Sequence, residues 1–243
     1  LEGKPDQPAD IRREPDCPVY PRCGGCSCRH MSYEATLAAK RQQVQDCFQR
    51  IGKLDVVVPP VLGMAEPSAY RNKTALPVGG RLDEPCVGFF APRSHDIIRI
   101  DRCPNAMPPA DDVCRAVLSW MKKNRVAPYD EATHTGLIRH IVTRVNREHQ
   151  ALVTLAVNGT AIPKAEDLWN LLQPLGVIGL VLNENRDKTN VILGRKYRTL
   201  FGAGTLKDVL CGLEFDLSPA AFFQVNPKQT EVLYQTALDF AEL

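Results

Sequence analysis

The sequence predicts an α+β protein whose central domain is a largely antiparallel sheet, with a small cysteine-bearing module ahead of it. Two observations carry the fold class. Short apolar segments punctuated by Gly and Pro recur from Tyr70 to Ile100 and from Leu137 to Gly202, as strands do. Amphipathic helical stretches are interspersed among them, which favours α+β over an all-β sandwich. A third observation marks the module: four of the chain's nine cysteines, Cys17, Cys23, Cys26 and Cys28, fall within twelve residues.

Taken in order, residues 1–16 are polar, contain proline and lack periodicity, so they read as a linker. The cysteine segment occupies 17–34. "SYEATLAAKRQQVQDCFQRIG" then suits a helix with Ser32 at its N-cap, an apolar stripe of Leu37, Val44, Cys47, Phe48 and Ile51, and Gly52 as its stop. "DVVVPPVLG" is an extended piece broken by Pro59 and Pro60. Strands are expected in "YRNKTALPV", "CVGFFAP" and "DIIRI", with Gly79-Gly80 and Pro92 between them. "PPADDVCRAVLSWMKKN" reads as a helix with Val113, Ala116, Val117, Trp120 and Met121 on one side. "LIRHIVTRVNREHQALVTLAV" reads as a hairpin turning near Asn146–His149. A short helix over 163–173, a strand in "VIGLVLNEN" and a hairpin around Gly194 follow. "PKQTEVLYQTALDFAEL" opens a last helix, capped from Asn226 with Pro227 in its first turn. That helix has no later element to pack on, so the chain reads as part of a longer protein.

A length of 243 residues, 44% hydrophobic and 24% charged, is ordinary for a globular chain. No run approaches the ~18 apolar residues of a membrane span, and no signal peptide opens the chain, so a cytoplasmic protein is expected. In a reducing compartment clustered cysteines are more often metal ligands than disulfides. A net charge of +2 does not by itself point to nucleic acid. Between Asn185 and Lys207, however, six basic residues (Arg186, Lys188, Arg195, Lys196, Arg198, Lys207) face one acid, Asp187, either as a solvated hairpin face or as an RNA-facing patch.

Cys17, Cys23 and Cys26 have the spacing C-x5-C-G-G-C. One C-x2-C pair is half of what a zinc ribbon brings. A four-iron cluster accepts mixed wide and narrow spacings, and Gly24-Gly25 lets the backbone pass close to it. The fourth thiolate is then Cys28, close by, or Cys103, which precedes Pro104 as final cluster ligands often precede proline. A zinc site and a redox pair stay open on spacing alone. Cys47, Cys86, Cys114 and Cys211 read as small buried hydrophobes.

"CPVYPRCGGCSCRHMSYEATLAAKRQQV" resembles the iron–sulfur signature of the RNA uracil-5-methyltransferase family, with Cys17, Cys23–Cys26, His30, Tyr33 and Lys40 at its marked positions. The resemblance continues through "AYRNKTALPVGG", "GFFAPRSHDIIRIDRCP", "GLIRHIVTRVN", "NENRDKTNVILGRKYRTLFG" and "LSPAAFFQVNPKQTEVLY", covering nearly all of 17–243. It implies a [4Fe–4S] cluster on Cys17, Cys23, Cys26 and Cys103, with Cys28 a bystander and His30 structural beside the cluster. It implies S-adenosylmethionine as cofactor, touched by Gln224 on an FFQVN strand, and an RNA substrate, 23S rRNA ahead of tRNA. In the family a cysteine adds to C6 of a flipped uridine, C5 takes the methyl group, and a carboxylate removes the C5 proton. Phe222 or Phe223 would stack on the base.

By the same resemblance, 1–16 follows an RNA-binding β-barrel domain and 35–60 packs on the catalytic domain. Residues 61–215 form the RNA-facing domain, and 216–243 begin a Rossmann-like methyltransferase domain whose catalytic cysteine and base lie outside this chain, which alone is then inactive. Tyr70, Arg71 and Lys73 suit phosphate contact beside an aromatic ring, as do Phe223, Arg195, Lys196 and Arg198 for RNA. Arg93, His95, Arg139 and Arg144 are weaker candidates of the same kind. "GAGTLK" at 202–207 lacks the third glycine and the strand–helix setting of a dinucleotide loop. A monomer is expected. The alternative reading is a non-catalytic iron–sulfur or zinc RNA-binding module.

Overall fold

In the computed structural model, which describes residues 11–242, a seven-stranded sheet with strand order β3-β2-β1-β4-β5-β6-β7 organises the chain. Its strands are β1 Lys73–Arg81, β2 Glu84–Phe90, β3 Ile97–Arg99, β4 Ile138–Val145, β5 Ala151–Val157, β6 Val177–Glu184 and β7 Lys196–Gly202. All neighbours run antiparallel except β5 and β6. That one parallel pair requires a crossover, which α3 (Ala165–Leu172) supplies. The expected hairpin of β4 and β5 is present and turns at 146–150.

Helix α2 (Ala110–Asn124) and α3 cover one face of the sheet. Val113, Val117, Trp120 and Met121 of α2 meet Leu168 and Leu172 of α3 above Leu76, Val87, Ile141, Leu155 and Leu180 of the strands. The period-3.6 stripe read in α2 is this contact, except that Cys114 is buried and Ala116 only partly so. Trp120 Nε1 donates to Lys164 O at 3.2 Å, joining the two helices. Every residue of β4 and β5 is buried, so both faces of the sheet are covered there. The second face is covered by a small hairpin, β8 (Leu206–Leu210) and β9 (Leu213–Leu217), whose Leu206 packs on Leu152 and Val181.

Several expectations change. Gly79 and Gly80 lie inside β1 instead of ending it. The hairpin around Gly194 is a long loop, and β7 begins only at Lys196. Buried amides stabilise that loop: Asn183 Nδ2 donates to Gly194 O and Lys196 O, and Asn185 Nδ2 donates to Val191 O and Ile192 O. Cys47 and Cys211 are exposed and Cys86 half-buried, leaving Cys114 as the buried one of that four. Residues 1–10 of the expected linker lie outside the described residues. Residues 11–16 fold back on the cysteine segment, where Ser32 N–H donates to Ile11 O and Arg13 N–H to His30 O.

Helix α1 (Tyr33–Asp46) is capped by Ser32, whose Oγ accepts from Ala35 N–H, and loosens into a π-turn over Cys47–Ile51. Most of its apolar stripe has no cover: Leu37 is half-buried beside Gly63, but no residue of α1 is fully buried, and Val44, Phe48 and Ile51 face solvent. Helix α4 (Pro227–Ala241) starts as expected, with Asn226 Oδ1 accepting from Gln229 N–H. It too exposes Leu233, Leu238 and Phe240. Among the described residues, no helix is long and apolar enough to cross a membrane.

Candidate cofactor and nucleic-acid cleft

The cysteine segment, α1 and the first turns of α4 enclose a cleft of about 760 Å³. Cys26, Arg29, Tyr33, Tyr70, Asn105 and Gln224, which span nearly two hundred residues of sequence, line it together. Each wall is tied to the next. Tyr33 Oη accepts from Met64 N–H at 2.7 Å, and Gln229 Nε2 of α4 donates to Leu62 O at 2.7 Å.

At the cysteine end, Cys23 is buried, Cys17, Cys26 and Cys103 are half-buried, and Cys28 is exposed. The loop lies hard against the end of β2, where a Cβ on Gly24 would stand 2.8 Å from Phe90 O. Three sulfurs accept N–H donors. Gly25 N–H donates to Cys23 Sγ at 3.4 Å, Asn105 Nδ2 to Cys26 Sγ at 3.4 Å, and the backbone of Asn105 and Ala106 to Cys103 Sγ. Burial pushes the Cys23 and Cys103 thiols up. The neighbouring sulfurs add to this: Cys17 and Cys26 act on Cys23, and Cys26 acts on Cys103. A compensating cation would therefore favour Cys23 and Cys103 as thiolates.

The donor set and the N–H bonds to sulfur fit an iron–sulfur cluster. Among the described residues, no three His, Cys, Asp or Glu side chains converge tightly enough to hold a metal ion. Closing this set around a metal therefore requires the cysteine side chains to reorient.

Arg29 and Asn105 carried no signal in the sequence, because neither belongs to a spaced motif; tertiary contacts give them their place. Arg29 Nε and Nη2 donate to Asp16 at 2.5 and 2.8 Å, and its Nη1 donates to Asn105 Oδ1 at 2.9 Å. Burial opposes the charge on Arg29, but the Asp16 hydrogen bonds and the Cys26 and Cys17 sulfurs outweigh it and raise its pKa. His30, expected beside the cysteines, hydrogen-bonds through Nδ1 to Tyr20 Oη.

Asn105 also leads to Gln224. Arg71 N–H donates to Asn105 O, and Met107 N–H to Arg71 O, so 103–107 pairs with 69–71. The next residue, Asn72, is buried; its backbone N–H donates to Val225 O at 2.9 Å and its Nδ2 to Gln224 O at 3.0 Å. The cysteines, Tyr70, Arg71 and Gln224 thus share one hydrogen-bonded frame. The FFQVN segment forms no strand; its position comes from Asn72.

Of the two adjacent rings, Phe223 is buried with Leu210 and Leu217, and Phe222 is 86% exposed. Phe222 is therefore the ring free to stack. Lys73 stands opposite Arg144 in the β1–β4 register, and its pKa is lowered by burial and then by that arginine. Arg139 and Arg144 are buried and act internally, Arg139 on the carbonyls of Asn185, Asp187 and Thr189, Arg144 on Ala221 O. Arg195, Lys196 and Arg198 are exposed but do not join the cleft. They lie at the edge strand β7, four places from β1 and so about 19 Å away at ordinary strand spacing.

No family model matches the sequence. The chain is 42% identical over 239 residues to an uncharacterized RNA methyltransferase of Clostridium tetani, covering 97% of this chain and 52% of that protein. It is 44% identical over 234 residues to another from Listeria innocua (96% and 52%), and 40% identical over 247 residues to one from Halalkalibacterium halodurans (100% and 53%). The chain spans about half the length of the curated relatives it matches. Among solved structures, the Pyrococcus abyssi tRNA (uracil-54, C5)-methyltransferase in complex with S-adenosyl-L-homocysteine has a similar fold. The TM-score is 0.72 at 19% identity, over 90% of this chain and 51% of that one. Nearly the whole chain is thus similar to about half of each of these RNA methyltransferases, and it shares its fold with about half of the tRNA methyltransferase.

Proposed function

We propose that this chain is the central part of an S-adenosylmethionine-dependent RNA uracil-5-methyltransferase acting on 23S rRNA. The observation that carries the reading is the cleft, where the cysteine segment, Tyr70 and Gln224 meet on one hydrogen-bonded frame. The similarity to RNA methyltransferases supports it.

In the complete protein Cys17, Cys23, Cys26 and Cys103 hold a [4Fe–4S] cluster. Its iron supplies the positive charge that four crowded thiolates need, and its role is structural. Gln224 binds the cofactor from the cleft. Phe222 stacks on a uridine taken out of its helix, and Tyr70, Arg71 and Lys73 hold the flanking backbone. The cysteine that adds to C6 and the base that removes the C5 proton belong to the part of the protein outside these residues. The uncovered apolar faces of α1 and α4 are where that part packs. The protein acts as a monomer in the cytoplasm.

The test is to incubate the full-length protein with methyl-labelled S-adenosylmethionine and either 23S rRNA or tRNA. Label on C5 of a uridine in 23S rRNA is expected. Label in tRNA alone overturns the target. No label from folded, cofactor-binding protein overturns the enzyme reading in favour of a non-catalytic RNA-binding module.

A further inference from the structure

Asn105 stands where the cysteine loop meets the frame of the cleft, and three groups hold it. Its Nδ2 donates to Cys26 Sγ at 3.4 Å, its Oδ1 accepts from Arg29 Nη1 at 2.9 Å, and its backbone O accepts from Arg71 N–H at 2.8 Å. The first two bonds fix each other. A guanidinium only donates, so it takes the amide oxygen and turns the amide nitrogen towards the sulfur. Arg29 is itself pinned, because Asp16 grips it on two nitrogens at 2.5 and 2.8 Å and its side chain is only 8% exposed.

The third bond leads away from the sulfurs. Segment 103–107 pairs with 69–71, where Ala69 N–H donates to Pro104 O and Met107 N–H to Arg71 O. Asn72, the next residue, then holds Gln224: the carbonyls of Gln224 and Val225 both accept from it. Gln224 lies in no helix or strand, so these bonds decide where it stands. Asn105, Arg71 and Asn72 therefore make a continuous bonded route from Cys26 Sγ to Gln224. The route lies outside the seven-stranded sheet, which begins at Lys73.

The sulfur end of this route has two arrangements. As they stand, the four cysteines do not converge on one metal position, and closing them on a cluster reorients their side chains. Cys103 opens the segment that pairs with 69–71, and Cys26 holds the Asn105 amide. When one element has two arrangements and two sites touch it, occupancy of either site biases the other. We propose, resting on the reading of Gln224 as the cofactor residue, that Asn105 is a positioning residue through which cluster occupancy of the cysteines sets the affinity for S-adenosylmethionine.

The experiment is equilibrium dialysis of labelled S-adenosylhomocysteine against anaerobically prepared full-length protein, with its iron and after chelation of the iron. Iron content and Trp120 and Trp169 fluorescence are recorded for each sample. Wild type is expected to bind about tenfold more tightly with iron than without it. Iron-loaded Asn105→Ala should bind as weakly as iron-free wild type, and removing its iron should change little further. Arg29→Met, which keeps the amide but frees its oxygen, should weaken binding about threefold with the iron in place.

Equal affinity of loaded and iron-free wild type overturns the coupling, as does wild-type affinity in both loaded variants. Iron removal that weakens Asn105→Ala by the same factor as wild type overturns Asn105 as the link. Iron-free protein whose tryptophan fluorescence is that of the unfolded chain makes the cluster a folding element and overturns the coupling too. Loaded wild type that binds no S-adenosylhomocysteine, or binds it equally well as Gln224→Ala, removes the cofactor reading itself and the coupling with it.

Discussion

His140 should make the chain lose stability in mild acid, over a window set by its burial. It sits on β4 between Pro77 and Ala156, 6% exposed, with Nδ1 unpartnered. Burial, and then the Arg139 charge, push its pKa down to about 4 from the 6.5 of a free imidazole. Between these values the unfolded chain takes up a proton that the folded chain refuses. Stability is therefore fully present above pH 6.5 and falls as pH drops towards 4. The difference of about 2.5 units corresponds to about 3 kcal/mol in full, of which about 2.5 kcal/mol is lost by pH 4.5. Asp111, whose carboxyl burial pushes up, works in the opposite direction. The assay is therefore a difference between wild type and His140→Gln, in which other groups cancel. Urea unfolding followed by the fluorescence of Trp120 and Trp169, both in the helical layer, gives each free energy at pH 7 and 4.5. Glutamine is less stable at both pH values but should lose about 2.5 kcal/mol less between them. An equal loss in the two proteins would refute a buried neutral His140.

Two further substitutions sets follow. Phe223→Ala should cost about 3 kcal/mol, because that ring fills the small core under β8 and β9, whereas Phe222→Ala should leave unfolding within about 0.5 kcal/mol of wild type. Only the latter should lower methyl transfer with folding intact; unchanged transfer in Phe222→Ala removes that ring from base stacking. In anaerobically prepared full-length protein, iron analysis should find about four irons per chain in wild type and Cys28→Ser and a clear loss in Cys103→Ser. Asn105→Ala should keep the iron yet shed it faster in air, since it removes the side-chain donor to Cys26 Sγ. Equal iron in wild type and Cys103→Ser defeats the ligand set.

Much of the fold was legible because local patterning and burial agree. The α2 stripe, the β4–β5 hairpin and the Asn226–Pro227 start of α4 all stand where periodicity and capping place them. The departures share a cause. Gly79-Gly80 looks like punctuation, yet pairing with β2 continues the strand through it. The stretch around Gly194 has hairpin composition, but Asn183, Asn185 and Arg139 take its backbone groups and hold it as a loop. The α1 stripe shows which side of the helix is apolar and says nothing of what covers it.

For the candidate site, spacing singled out Cys17, Cys23 and Cys26 and offered Cys28 or Cys103 as a fourth, and the resemblance chose Cys103 and pointed to Gln224. The sequence by itself determined which side chains carry sulfur, charge and aromatic surface, and placed helices α1, α2 and α4 and the β4–β5 hairpin. Only the tertiary structure decided that Phe222 faces solvent while its neighbour Phe223 is core, and that Arg139 and Arg144 serve the interior. It also decided that Asn105 joins the cysteines to the frame holding Gln224. The physical reason is that burial and hydrogen-bond partners are set by residues distant in sequence, while propensity and spacing are set by neighbours.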